Sequence, residues 1–326
     1  MSNDKPKVAF YWCASCGGCE EAVVDLAEDI LKVTEAVDIV FWPVALDFKK
    51  KDVEAMEDGS IAVSFINGAV RLSEQEEMVK LLRKKSGLVV AFGSCSHLGG
   101  IPGLGNFWNK EKIFEYAYHK SPSTDNPEKT VPLEKYDLEG KELTLPSFYD
   151  TVYTLDQVID VDYYLPGCAP PKDLIVNAVM AILEGKLPPK GAVLSPNKSL
   201  CDECDRNDTK PEKMEIKEIK RPWEIHLDPE VCFLAQGVIC MGPATRGGCG
   251  QRCIVGNMPC RGCFGPTDQV FDQGAKFLAA LASILETDDE KEIEKLVDTI
   301  VDPAGTFYRF SLPASILRRK RMEAIK

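Results

Sequence analysis

Eight of the chain's thirteen cysteines fall between residues 201 and 263, in a glycine-rich stretch almost without hydrophobic periodicity. Such a segment has too little apolar surface to offset its own ordering entropy, so an inorganic centre is expected to organise it. The eight arrive as Cys201 and Cys204 in a CxxC, Cys232 and Cys240 singly, then Cys249, Cys253, and Cys260 with Cys263 in a second CxxC. Two chemistries remain open at this point. Paired CxxC units make closed tetrahedral zinc sites, whereas four thiolates also hold iron–sulfur clusters. The two single cysteines interrupt the usual order of zinc knuckles.

Before this segment the pattern is different. Runs rich in Val, Ile, Phe or Tyr at Lys7–Trp12, Val37–Trp42, Ile61–Ile66, Leu88–Phe92 and Asp162–Leu165 read as strands. Amphipathic stretches separate them. Ala22, Val23, Leu26, Ala27, Ile30 and Leu31 are spaced to share one helical face. Strands alternating with helices imply a flavodoxin-like, doubly wound α/β domain with a parallel sheet covered on both faces. The proline-punctuated stretch Ser121–Pro146 reads as a surface excursion. A helix over Lys172–Glu184 is expected to stop at Gly185, ahead of Pro188 and Pro189. The expected division is therefore a sheet domain, 1–185, followed by a cysteine-rich domain, 186–326. Within the latter, helices are expected near Asp268–Glu286 and Glu290–Val301.

The bulk numbers narrow the function. With 326 residues and 44% hydrophobic content, the chain has material for one large core or two unequal ones, and two domains are expected. A formal charge of −12 argues against nucleic acid, whose phosphates require a basic face. The basic cluster Arg318, Arg319, Lys320 and Arg321 reads as a solvated helix end. No run approaches the roughly 18 apolar residues of a membrane span. No apolar leader with a small-residue cleavage site precedes Lys7, so a cytoplasmic location is expected. In a reducing compartment, cysteines of this density serve metals or redox chemistry more often than disulfides.

The other five, Cys13, Cys16, Cys19, Cys95 and Cys168, are scattered in sequence but not in the expected fold. Each follows the carboxyl end of a strand, where open parallel sheets form their binding crevices. Four thiolates gathered there make a cluster site, and with a second cysteine region they favour an electron relay over isolated zinc staples. Gly17, Gly18, Gly93 and Gly167 flank these cysteines and either let the backbone approach a cluster or simply form turns.

These residues resemble the small subunit of NiFe hydrogenases. The motifs are Cys16-Gly17-Gly18-Cys19; Gly93-Ser94-Cys95 followed by Gly99-Gly100-Ile101-Pro102; Pro166-Gly167-Cys168-Ala169-Pro170-Pro171; and Cys240-Met241-Gly242-Pro243-Ala244-Thr245 ahead of Cys249. The resemblance spans nearly the whole chain and implies three 4Fe–4S clusters. It assigns Cys16, Cys19, Cys95 and Cys168 to a proximal cluster, nearest the nickel site of a large-subunit partner. Cys249, Cys253, Cys260 and Cys263 take a medial one, and Cys201, Cys204, Cys232 and Cys240 a distal one. Cys13 is left over, as a buried non-ligand or a substitute ligand.

Two departures from the better-known uptake enzymes point to a subgroup. Cys201 stands where those have a distal histidine, and Cys253 supplies the fourth medial cysteine that they lack. The nearest likeness is to cytoplasmic, methyl-viologen-reducing hydrogenases of methanogens and related anaerobes. It implies an iron–sulfur or flavin acceptor subunit, within a heterodisulfide reductase complex, as the second partner. The alternatives are a relay subunit of a quinone-reductase-like complex and a zinc scaffold without redox function.

No catalytic constellation stands out; Glu20 and Glu21 read as the first turn of a helix. Gly99–Gly105 lacks nucleotide-loop spacing and reads as a tight loop at a subunit interface. His97 neighbours Cys95, while His119 and His226 are isolated. Arg206, Arg246, Arg252 and Arg261 punctuate the second cysteine set, as surface residues or as counter-charges to the clusters.

Overall fold

The computed structural model describes residues 5–318. Arg319, Lys320 and Arg321 of the basic cluster lie outside the described residues. Five strands, β1 (Lys7–Trp12), β2 (Asp38–Phe41), β3 (Ile61–Asn67), β5 (Ser86–Phe92) and β9 (Tyr163–Leu165), form one parallel sheet in the order β2-β1-β3-β5-β9. Numbered within the sheet alone, this is the 2-1-3-4-5 order of a flavodoxin-like fold. Phe10, Phe65 and Phe92 point to one face, packed with the helices Gly18–Val24 and Lys172–Leu183. Ala9, Ile66 and Ala91 point to the other, against Lys50–Glu54 and Ser73–Lys85. Burial on both faces is why these strands read as continuous apolar runs.

Two features differ from the sequence expectation. The stretch around Ala22–Leu31 is two helices, Gly18–Val24 and Asp29–Ala36, joined by a turn in which Ala27 has φ 53°. The break leaves Leu26 buried and Leu31 exposed, so the six apolar residues do not share one face. The excursion at 121–146 is on the surface, yet it contains a hairpin, β6 (Lys135–Leu138) with β7 (Lys141–Thr144), turning through Glu139 and Gly140 at φ 53° and 81°. A further antiparallel pair joins β4 (Val70–Leu72) to β8 (Phe148–Tyr153).

The helix Lys172–Leu183 ends as expected, with Gly185 at φ 65°. Beyond it lies a separate cluster of buried side chains, including Leu200, Phe233, Met241, Phe277, Phe307 and Leu312, into which Cys232, Cys240 and Cys260 are packed. Helices Gln273–Ala282 and Glu290–Asp298 follow. Segment 196–270 is held by turns and short cross-links, such as Leu200 N–H to Thr245 O at 2.7 Å and Arg246 N–H to Gly265 O at 2.8 Å. Phe107, from the first half of the chain, belongs to this second core. No described helix is long and apolar enough to cross a membrane.

Candidate functional site

The loops beyond three strand ends converge. Gly93 N–H donates to Leu165 O and Ser94 N–H to Gly167 O, each at 2.8 Å, so the β5–β9 ladder continues past the strands and sets Cys95 beside Cys168. The loop after β1 is tied down by Ala14 N–H to Ala69 O and its reciprocal, both 2.9 Å, and leads into the helix that carries Cys19. Burial raises the Cys19 thiol, and Cys95, Cys168 and Cys16 raise it further. Burial, then Cys168 and Cys16, push Cys95 up to about 12, against a lowering N–H from Ile101. Cys168 is raised by burial and by Cys16. These four sulfurs therefore lie within electrostatic reach of one another.

Glycine is required here by close approach. A Cβ on Gly93, at φ 86°, would stand 2.4 Å from the Cys19 sulfur, and one on Gly100, at φ 58°, 2.4 Å from that of Cys95. The loop after Gly99 also packs inward, since Gly99 and Gly103 lie against Pro313, while Ile101 remains exposed.

Cys13 stands apart. Its N–H extends the β1 ladder to Asn67 O at 2.8 Å, so its side chain follows Ala9 and Tyr11 to the opposite face of the sheet. Burial alone raises its thiol, with no cysteine among the causes.

In the second half, Cys201, Cys204, Cys232 and Cys240 line one cavity together with Arg206 and Lys210. Burial pushes Cys240 up to about 12, opposed by N–H groups of Gly242 and Cys260. The remaining four connect in turn. Burial raises Cys249, Gln251 and Arg252 N–H groups lower it, and Cys253 and Glu203 raise it again. Cys263 is pushed up to about 12 by burial, then Cys168, with Cys253 and Cys249 adding to it. Cys260 is raised by burial, then by Cys240, against lowering by Gly262 N–H and Thr245, whose hydroxyl donates to Met241 O at 2.6 Å.

The groups approach one another: Cys260 N–H donates to the Cys240 sulfur at 3.3 Å, and Cys168 is among the groups that raise the Cys263 thiol. Among the described residues, no three His, Cys, Asp or Glu side chains are grouped to hold a single metal ion.

Of the other residues singled out in the sequence, Arg246 is 1% exposed, ion-paired with Asp268, and donates to carbonyls of Ser195, Pro196 and Pro266, a clamp rather than a ligand. Arg206 is buried over the Phe233 ring at 4.3 Å. Arg261 feels both Cys240 and Cys253. His97 is part-buried with its ring against Tyr164, and desolvation lowers it to about 3; His119 and His226 are exposed. Glu20 is a buried carboxylate that accepts from Trp42 Nε1 and from Asn67 Nδ2 at 2.8 Å. Glu203 and Lys210 carry no sequence signal, because nothing periodic in this segment tells which side chain faces which cavity.

Thiols at the carboxyl ends of a parallel sheet define the class, and the comparisons agree. Residues 16–182 match the family described as NADH ubiquinone oxidoreductase, 20 Kd subunit. The iron-sulfur subunit of the F420-non-reducing hydrogenase of Archaeoglobus profundus is 44% identical over 318 residues, covering 96% of this chain and 98% of that one. A subunit of the F420-non-reducing hydrogenase of Methanothermobacter thermautotrophicus is 37% identical over 320 residues, covering 97% of each. The chain belongs to this family and is a hydrogenase small subunit of the F420-non-reducing type, a component of an oxidoreductase complex. The solved [NiFeSe] hydrogenase of Desulfovibrio vulgaris Hildenborough shares the fold, at TM-score 0.53 and 18% identity over 81% of this chain and 95% of that chain.

Proposed function

We propose that the chain is the electron-transfer subunit of a cytoplasmic NiFe hydrogenase, relaying electrons through three 4Fe–4S clusters between the nickel–iron site of a large-subunit partner and an acceptor. The acceptor is an iron–sulfur or flavin subunit of a heterodisulfide reductase complex. The observation that supports this reading is the convergence of free cysteines: Cys16, Cys19, Cys95 and Cys168 act on one another beyond the sheet, Cys201, Cys204, Cys232 and Cys240 line one cavity, and Cys260 N–H donates to the Cys240 sulfur at 3.3 Å.

The donor set fits the clusters. All twelve are free thiols, with backbone N–H groups aimed at several sulfurs and glycines where a Cβ would strike one. Cys16, Cys19, Cys95 and Cys168 would hold the proximal cluster; Cys249, Cys253, Cys260 and Cys263 the medial; Cys201, Cys204, Cys232 and Cys240 the distal. Bound clusters supply reversible one-electron storage. The protein's part is to hold the thiols, bury them and direct hydrogen bonds at them. The sheet unit, 1–185, takes the first set and the unit from 186 onward the other two.

Trp12 and Ile101 are large apolar side chains left exposed beside the proximal set, with the Trp12 ring lying against Gly17, and Trp108 is exposed at the end of the loop that follows Ile101. In this reading they form the face covered by the large subunit. Anaerobic copurification followed by hydrogen-dependent viologen reduction tests the proposal. A complex containing nickel and active with hydrogen is expected; an iron-rich complex without nickel or hydrogen activity would instead support a quinone-reductase-like relay.

A further inference from the structure

The CxxC that begins the distal set has an unusual division of labour. Cys201 and Cys204 face the distal cavity, but Glu203 between them does not line it. Its carboxylate turns to the neighbouring set, where it accepts the N–H of Gly248, the residue before Cys249, at 2.6 Å. Only 18% of this side chain is exposed, and a Cβ on Gly247 would come within 2.8 Å of it, so its position is fixed. Its ion-pair partner Lys198, 3.4 Å away, is half exposed, so that pairing is screened by water.

The distal cavity carries the opposite charge. Lys210 lines it beside Cys201, with its ammonium held by Asn207 Oδ1 at 2.5 Å. Arg206 adds a second cation, but its donors are taken up by Ile254 O at 3.1 Å and Asn257 Oδ1 at 3.0 Å. Among the described residues, no acidic side chain lines this cavity. Thus Lys210 is a cation on the lining of the distal set's cavity and Glu203 a carboxylate held one residue from Cys249, while Arg261 acts on Cys240 and Cys253 alike.

A positive charge beside a redox centre favours the added electron, a negative charge disfavours it, and hydrogen bonds to the sulfurs act in the same sense as the positive charge. We infer that Lys210 and Glu203 are paired potential-setting residues: Lys210 raises the distal site's reduction potential and Glu203 lowers the medial site's, favouring electron occupancy of the distal site. This rests on the assignment of clusters to the two sets.

The test is an EPR-monitored redox titration of the anaerobic holo-complex. Iron content is measured first, because a chain without clusters would contradict the cluster assignment, and this inference with it. With full iron content, Lys210→Met is expected to move the distal midpoint to lower potential and leave the medial one in place. Lys210→Arg, which keeps the charge, should restore most of it. Glu203→Gln should raise the medial midpoint and leave the distal one. A purely structural role for either residue would move neither midpoint while clusters remain intact, and that result overturns the inference. Equal shifts of both midpoints in either variant would overturn it as well.

Discussion

The backbone N–H of Cys260 donates to the sulfur of Cys240 across 3.3 Å, joining a member of one C-terminal cysteine set to a member of the other. Because this donor is main chain, no substitution of Cys260 other than to proline removes it. On the N-terminal side, Cys168 is near enough to raise the Cys263 thiol.

Close approach at Gly93 makes the proximal set sensitive to a single methyl group. In Gly93→Ala the new Cβ would lie 2.4 Å from the Cys19 sulfur, at a φ of 86° that costs an L-residue about 1–2 kcal/mol. The expected result is loss of about four of some twelve irons, the content of one cubane cluster, with the C-terminal eight retained. Iron analysis and the EPR signals of the purified variant measure it; unchanged iron content would contradict the close-approach argument.

Cys13 behaves differently from its neighbours. It is 4% exposed in a core with Ala9, Ile66 and Val70. Cys13→Ala should keep full iron content and cost about 1 kcal/mol of stability from lost packing, whereas Cys16→Ala should lose iron. Parallel iron analysis and thermal melts of the two variants distinguish them, and iron loss on Cys13→Ala would make it a ligand.

Asp162 fastens the start of β9, the strand leading to Cys168. It accepts from Val89 N–H at 2.8 Å and pairs with Arg83 at 2.6 Å and Lys190 at 2.5 Å. Burial would raise its carboxyl, but Lys190, Arg83 and the Val89 N–H outweigh that and hold it below its ordinary value. A depressed carboxylate stabilises the fold above its unfolded value, about 3.9, and that contribution is lost as pH falls through the lower folded value. Asp162→Asn should therefore cost about 2 kcal/mol near neutrality and show a shallower loss of stability below about pH 4. Denaturant titrations across pH measure both, and parallel acid limbs for the two proteins would contradict it.

The exposed tryptophan Trp108, 44% accessible, is a candidate anchor for the large subunit. Trp108→Asp should weaken assembly by about 2 kcal/mol, roughly 30-fold, without changing iron content. Copurification yield against subunit concentration reads this out, and wild-type assembly would move the interface elsewhere on the molecule.

The sheet is legible in the sequence because burial on both faces turns each strand into an apolar run, and the strand ends then bring Cys16, Cys19, Cys95 and Cys168 together. Cys13 looks equivalent to them in sequence; only the alternation of a strand that continues through residue 13 puts it on the opposite face. The β6–β7 hairpin is less legible, since Glu139 occupies a left-handed position usually given to Asn, Asp or Gly and both strands are exposed. Within 196–270 the fold is set by side-chain and turn contacts without a repeat. Cysteine spacing there shows ligand density, but not that Glu203 turns from its own set toward Cys249.

Iron and acid-labile sulfide content per chain, determined on the anaerobically purified complex with any partner iron subtracted, tests the three-quartet reading most directly. Three clusters give about 12 irons and 12 sulfides. A chain carrying zinc in the C-terminal sets, with iron absent from them, would contradict it.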